Sequence, residues 1–105
     1  MAAKLVSGVE VELNSEGFFA NPKEWSEEMI PELAKAEGID PVTERHLEVI
    51  RVMRHEYETK GSGPSVRALA KVSNVPIKEL YQLFPKGPAK QAARIAGIPK
   101  PIGCI

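Results

Sequence analysis

Hydrophobic and polar positions alternate along residues 9–13. Two glutamates separate apolar residues at 9, 11 and 13, which is the period of a half-buried strand. Ser7 and Gly8 stand between this segment and Lys4–Val6, and such a two-residue connection is typical of a hairpin turn. The pattern predicts a β-hairpin region over residues 1–20, with strands Lys4–Val6 and Val9–Leu13.

A helical period replaces this alternation after Asn21, an N-cap that is followed by proline. It predicts a first helix from about Pro22 to Glu37, kinked or broken at Pro31, because proline removes one backbone hydrogen bond. The apolar positions at helical spacing are expected to face the core: Trp25, Met29, Leu33 and Ala36.

The second helix is predicted at Glu44–Lys60, since Thr43 is a suitable N-cap and Gly61 a suitable terminator. Its apolar positions form one stripe: Leu47, Ile50, Met53 and Tyr57. His46 and His55 lie nine residues apart on this helix, too far apart to share a metal. We expect both to be surface or half-buried residues.

Three short helices are predicted next, at Val66–Ser73, Pro76–Phe84 and Pro88–Ala96. The first two flank a tight turn and resemble a helix-turn-helix. A DNA reader normally has a pI above about 9, whereas this chain has a pI of about 6.7. We therefore expect these helices to pack their apolar residues into the core: Val66, Leu69, Val72, Ile77, Leu80 and Leu83 or Phe84.

Prolines exclude a helix at the C-terminus, so residues 98–105 are predicted to form a flexible arm beyond a helical body at 21–97. The chain has 105 residues, which is enough for one domain over 1–105. The predicted fold class is mostly α (α+β): an N-terminal β-hairpin, a small helical bundle with a helix-turn-helix-like element, and the C-terminal arm.

Composition and charge narrow the functional classes. No apolar run approaches the roughly 20 residues of a membrane span, and the N-terminus lacks a signal-peptide pattern, so we expect a cytoplasmic protein that does not engage membranes. No phosphate-binding loop, catalytic triad or metal-ligand spacing is present, so no metal or cofactor is expected. Residues 1–52 carry 5 Lys/Arg and 11 Asp/Glu, whereas residues 53–105 carry 9 and 3. The basic half could meet an acidic partner or a nucleic acid, or the two halves could neutralise each other within the fold.

The single cysteine, Cys104, is the penultimate residue. Exposed free thiols are a chemical liability, so a thiol on a proline-stiffened arm indicates a function. Pro99 and Pro101 would set the extended shape of the arm, and Gly103 would leave the approach to the thiol open. Nearby basic residues are candidates for docking a partner or stabilising the thiolate: Lys90, Arg94 and Lys100. Such a thiol suits a carrier better than a stand-alone enzyme.

The C-terminal run GPAKQAARIAGIPKPIGCI resembles the characteristic end of the DsrC/TusE family of sulfur-carrier proteins. Further segments agree with that family: EGFFANPKEW, VTERHLEVIRVMRHEYETKG, PSVRALAKV and ELYQLFPKGPAK. The resemblance covers nearly the whole chain. It implies the fold described above and implies that Cys104 carries sulfur as a persulfide.

One departure from the family is informative. Members that serve dissimilatory sulfite reductase carry a second cysteine eleven positions before the terminal one, and here that position is Ala93. The resemblance therefore favours the TusE-like branch, which relays persulfide sulfur toward 2-thiouridine of tRNA. Two alternatives stay open: a sulfite-reductase partner whose second cysteine is absent or replaced, and a helix-turn-helix regulator that binds nucleic acid.

The same resemblance implies the partners. They are a persulfide-donor protein complex and an acceptor protein, either a tRNA thiouridylase or a sulfite reductase system, with indirect contact with tRNA. A carrier that enters its partners is expected to be a monomer when free, and to act as a sulfurtransferase-type carrier only together with them.

Overall fold

The computed structural model describes residues 2–101; Met1 and Ile102–Ile105, which include the predicted Gly103 and Cys104, lie outside the described residues. The N-terminal hairpin is confirmed, with β1 at Ala2–Val6 and β2 at Val9–Leu13. The strands are antiparallel, and Val6 pairs with Val9. Ser7 and Gly8 both have positive φ, 49° and 80°, as a tight two-residue hairpin turn requires.

The predicted first helix, from Pro22 to Glu37 with a kink or break at Pro31, is wrong in where it is interrupted. Two 3-10 turns, Pro22–Glu24 and Glu27–Met29, precede helix α1 at Ile30–Ala36. The interruption falls at Trp25, whose backbone is extended and whose indole contacts Ile95 near the C-terminus. Pro31 lies in the first turn of α1, where a missing N–H leaves no helical bond unmade.

Helix α2, Glu44–Lys60, has the predicted bounds and caps. The Thr43 hydroxyl accepts a hydrogen bond from His46 N, and Gly61 ends the helix with a φ of 78°. The prediction for His46 is wrong, since only 8% of it is exposed, whereas His55 is exposed as expected. His46 Nδ1 accepts from Thr43 N at 3.1 Å and Nε2 donates to Leu83 O at 2.9 Å, so both ring nitrogens are satisfied in the interior.

Helices α3, Val66–Ser73, and α4, Ile77–Leu83, form the predicted helix-turn-helix-like pair. Leu69, Leu80 and Phe84 are fully buried. Val72 and Ile77 are 42% and 43% exposed, so the prediction that they face the core is wrong. Each of these helices makes barely two turns and presents only a narrow stripe to the bundle, which leaves the flanking apolar positions in solvent.

Helix α5, Pro88–Ala96, lies at the centre of the bundle against α1 and α2. Seven of its nine residues are buried, four of them alanines, whose small side chains let the neighbouring helices approach closely. The mostly α fold class with one hairpin is confirmed, and no helix in the described chain is long and apolar enough to cross a membrane. The C-terminal arm therefore starts from the most buried helix of the protein.

Candidate functional site: the root of the C-terminal arm

The arm leaves the bundle through residues 95–101, which we call the arm root. Ile98 is fully buried and Pro101 is buried. A Cβ placed on Gly63 would lie 2.8 Å from Ile98 Cδ1 and 3.4 Å from both Pro101 Cγ and Met53 Sδ. Of the predicted arm, residues 98–101 therefore pack against α2 and the loop that follows it.

Trp25 holds the arm root from one side. Its indole Nε1 donates a hydrogen bond of 2.8 Å to Ile95 O, in the last turn of α5. The ring also lies against Gly97, where a Cβ would overlap the indole atoms Cγ and Cδ1. Gly97 has a φ of 70°, so both its backbone conformation and the nearby ring require glycine.

Arg54 holds the arm root from the other side. Its Nη1 donates to Ala96 O at 2.8 Å and to Gly97 O at 3.4 Å, while Nη2 donates to Pro22 O at 2.7 Å. The guanidinium lies 4.3 Å from the centre of the Trp25 ring, within the range of a cation–π contact. A cation at the last carbonyls of α5 also complements the negative end of that helix.

The environment of Arg54 is unusual for a surface helix. Only 17% of its side chain is exposed, and its ion pair with Glu58 is long, at 3.5 Å. Burial lowers the pKa of the Arg54 guanidinium, while Glu58 acts in the opposite direction. Because arginine titrates far above neutral pH, Arg54 remains a cation and an effective donor to the carbonyls.

Two open grooves flank Arg54, each of about 250–270 Å³. Trp25 and His55 contribute to the walls of one groove, and Pro22 and Tyr57 to those of the other. Their charges are largely paired, since Arg51 lies 3.3 Å from Glu27 and Arg54 contacts Glu58. Each arginine that lines these grooves therefore has an acidic partner.

Arg94 binds the body of the protein rather than the arm. Its Nη1 pairs with Glu37 at 3.2 Å, its Nε donates to Glu16 O at 2.9 Å, and its guanidinium lies 4.7 Å from the Phe18 ring centre. The ammonium group of Lys100 pairs with the carboxylate of the same Glu16 at 3.3 Å. The turn around Glu16 thus holds two of the predicted basic residues, and their predicted roles toward the thiol stay predictions.

The remaining predicted positions are spread around the arm root. Lys90 is half-buried on α5, and Pro99 is half-buried at the start of the arm. Ala93 is fully buried, and its carbonyl accepts hydrogen bonds from Gly97 N and from Ile98 N at 3.1 Å. Gly103 and Cys104 fall outside the described range, so the roles of these residues toward the thiol stay predictions.

The sequence interpretation missed Arg54. A signal was available, because position 54 follows Ile50 by four residues and therefore lies beside the buried stripe of α2. What the sequence did not indicate is the partner of Arg54, since Gly97 is 43 residues away.

Among residues 2–101, no group of three metal-ligating side chains comes together.

A forked ion pair joins the helix-turn-helix-like pair to helix α2. Arg45 on α2 contacts both carboxylate oxygens of Glu79 on α4, at 2.7 Å and 3.1 Å. The hydrogen bond from Arg45 holds the pKa of Glu79 below its ordinary value, and the Glu79 carboxylate raises the pKa of Arg45. Lys78 and Gln82 are exposed on the same helix as Glu79.

Known proteins resemble this chain over nearly its full length. It is 43% identical over 102 residues to the sulfurtransferase TusE of Yersinia pseudotuberculosis, covering 90% of this chain and 94% of that protein. It is 35% identical over 105 residues to the dissimilatory-type sulfite reductase subunit gamma of Nitratidesulfovibrio vulgaris, covering all of both chains. The crystal structure of dissimilatory sulfite reductase I (DsrI) superimposes with a TM-score of 0.88 at 35% identity, covering 99% of this chain and 100% of that one. Residues 5–105 match the family described as DsrC like protein, and the chain therefore belongs to that family.

Proposed function

We propose that this protein is a single-cysteine sulfur carrier whose thiol is that of Cys104. The observation that carries the proposal is a penultimate cysteine beyond a clamped arm root, in a chain 43% identical to a sulfurtransferase. The family relationship supports a relay role, and the clamped root supports a thiol that is presented to other proteins from one place on the surface.

The transfer step requires no external oxidant or reductant. The Cys104 thiolate attacks the terminal sulfur of a persulfide on a donor protein, and the S–S bond of the donor breaks. The donor cysteine leaves as a thiolate, and Cys104 becomes the persulfide. The rate of such an exchange depends on the thiolate fraction of the attacker and on access to the sulfur.

We further propose that the sulfur passes toward 2-thiouridine of tRNA, through a tRNA thiouridylase. Relatives named TusE support this branch, and Ala93 supports it too, because an intramolecular disulfide has no second cysteine to use. In this role the protein works in the cytoplasm as a monomer and meets tRNA only through the acceptor.

A second candidate is a partner of dissimilatory sulfite reductase. The full-length match to the gamma subunit of that enzyme favours it. Single-thiol chemistry at Cys104 would then have to serve the reductase without the second cysteine that the resemblance places at position 93. Co-purification of the reductase with this protein from its own cells, and failure of thiouridine formation to depend on it, would select this candidate.

Intact mass spectrometry tests the carrier function directly. The protein is incubated with a cysteine desulfurase, a relay donor and cysteine, beside the variant Cys104→Ala. We expect a reductant-sensitive gain of one sulfur atom on the wild-type chain alone. A gain on the variant, or no gain on wild type with a donor that loads another acceptor, would contradict the proposal.

A further inference from the structure

Three consecutive carbonyl groups at the end of α5 and the start of the arm accept hydrogen bonds from side chains elsewhere in the chain. Ile95 O accepts from Trp25, and Ala96 O and Gly97 O accept from Arg54. The last carbonyl groups of a helix have no donors within the helix, and water often donates hydrogen bonds to them. Here side chains from two separate segments replace that water at the point where the arm begins.

The same two side chains also hold each other. The Arg54 guanidinium lies on the Trp25 ring, and its Nη2 donates to Pro22 O, in the turn that carries Trp25. Planar stacking and forked donation together are possible for arginine but not for lysine. Arg54 therefore ties the turn at 22–25, helix α2 and the arm root together through one planar group.

We propose that Arg54 is a positioning residue for sulfur transfer, which acts by setting where the arm leaves the body and in which direction. The proposal rests on the carrier function of Cys104. Cys104 is the seventh residue after Gly97, so the two Cα atoms lie within about 25 Å of each other in any conformation. Because the root is anchored, the region that the thiol can reach is fixed relative to the surface that a donor protein would bind.

Anchoring should speed transfer between proteins. The thiol must reach the reacting sulfur of a docked partner, which orders the arm and costs conformational entropy. Arm residues that are already ordered reduce that cost. A small persulfide has no docking surface to align with, so its reaction with Cys104 does not depend on the direction of the arm. Comparing a protein donor with a small persulfide therefore separates an effect on the direction of the arm from an effect on the reactivity of the thiol.

The test compares Arg54→Gln with Arg51→Gln in the full chain. Both arginines lie on α2 and line the same groove, but Arg51 is 55% exposed and pairs with Glu27, away from the arm root. For each variant, intact mass spectrometry follows sulfur loading from a persulfide-bearing relay protein and from glutathione persulfide. Amide hydrogen exchange at Gly97 and Ile98 reports whether the root is still anchored.

For Arg54→Gln we expect loading from the protein donor to slow about tenfold, because small misplacements of a reacting group have large effects on rate. Loading from glutathione persulfide should stay within about twofold of wild type, and exchange at Gly97 and Ile98 should accelerate. Arg51→Gln should match wild type in all three measurements. Arg54→Lys, which keeps the charge but not the fork, should slow transfer from the protein donor less than Arg54→Gln does.

Several results would overturn the inference while leaving the carrier function intact. These are equal or faster loading of Arg54→Gln from the protein donor, equal loss with both donors, or slower transfer with unchanged amide exchange. If Arg54→Gln does not fold, Trp25→Phe and Arg54→Lys decide by the same criteria, since Trp25→Phe keeps an aromatic ring but removes the indole N–H that donates to Ile95 O. Failure of the wild-type chain to load from either donor would instead contradict the carrier function itself.

Discussion

The indole of Trp25 lies so close to Gly97 that a Cβ on residue 97 would come within 2.6 Å of Trp25 Cβ and would overlap the ring itself. The contact joins the segment between the two 3-10 turns to the start of the C-terminal arm. Gly97 is also in the left-handed region, with a φ of 70°. The arm can begin at this point only because residue 97 has no side chain.

Gly97→Ala should be strongly destabilising. A left-handed conformation and overpacking against the indole should together lower the free energy of unfolding by about 3 kcal/mol. Gly38→Ala is a matched control, since Gly38 has a φ of 83° and nothing within 4 Å of its would-be Cβ. Urea denaturation should show a loss of only about 1 kcal/mol there. Equal losses in the two variants would mean that the Trp25 contact has no energetic role.

The interior histidine is expected to matter for stability. His46→Ala removes the bond to Leu83 O and one half of the capping box at the start of α2. We expect a loss of about 3 kcal/mol in the free energy of unfolding, from an unsatisfied carbonyl and a weakened cap. His55→Ala, on the exposed side of the same helix, should change stability by less than about 0.5 kcal/mol. A similar loss in both variants would rule out the specific role of the buried ring.

The Arg45–Glu79 pair predicts a dependence of stability on pH. Because Arg45 lowers the pKa of folded Glu79, the pair stabilises the fold above the ordinary glutamate pKa of about 4.3. That contribution is lost as the pH falls through the lowered folded value. The difference in unfolding midpoint between wild type and Glu79→Gln should therefore be present at neutral pH and disappear in acid.

Glu48→Gln provides the control for that measurement. Glu48 contacts the same arginine at 3.1 Å, but its side chain is 55% exposed and the pair spans only one turn of α2. Removing it should change the unfolding midpoint little at any pH, and high salt should weaken the effect of Glu79→Gln. A Glu79→Gln difference that persists at low pH would contradict an ionic origin.

A cysteine at position 93 would be enclosed by the fold. Ala93 is fully buried, so Ala93→Cys adds one sulfur atom to a packed site and should lower stability by about 1–3 kcal/mol. We expect its thiol to react with iodoacetamide about a hundredfold more slowly in the folded protein than in urea. Peptide mapping after labelling distinguishes it from Cys104. Equal labelling of position 93 in both conditions would show that α5 opens readily.

Local chemistry was sufficient for the parts of the fold that short segments determine. The turn at Ser7 and Gly8, the cap at Thr43 and the terminator Gly61 each act on neighbours within a few residues, and all were predicted correctly. The first helix was predicted incorrectly because its break at Trp25 follows from a distant contact. The spacing of Trp25 and Met29 is compatible with a helix, whereas the extended backbone of Trp25 accompanies contacts with Ile95 and Gly97 about seventy residues away.

The sequence by itself determined the hairpin, the long helix, the family and the identity of the single thiol, since these follow from local turn and cap chemistry and from a specific terminal motif. The tertiary structure alone decided that His46 is interior, that Arg94 binds the body, and that Arg54 and Trp25 clamp the arm root. The physical reason is the range of each interaction. Caps and turns act between residues that are close along the chain, whereas a buried cation is positioned by carbonyl groups about forty residues away, which only the folded chain brings together.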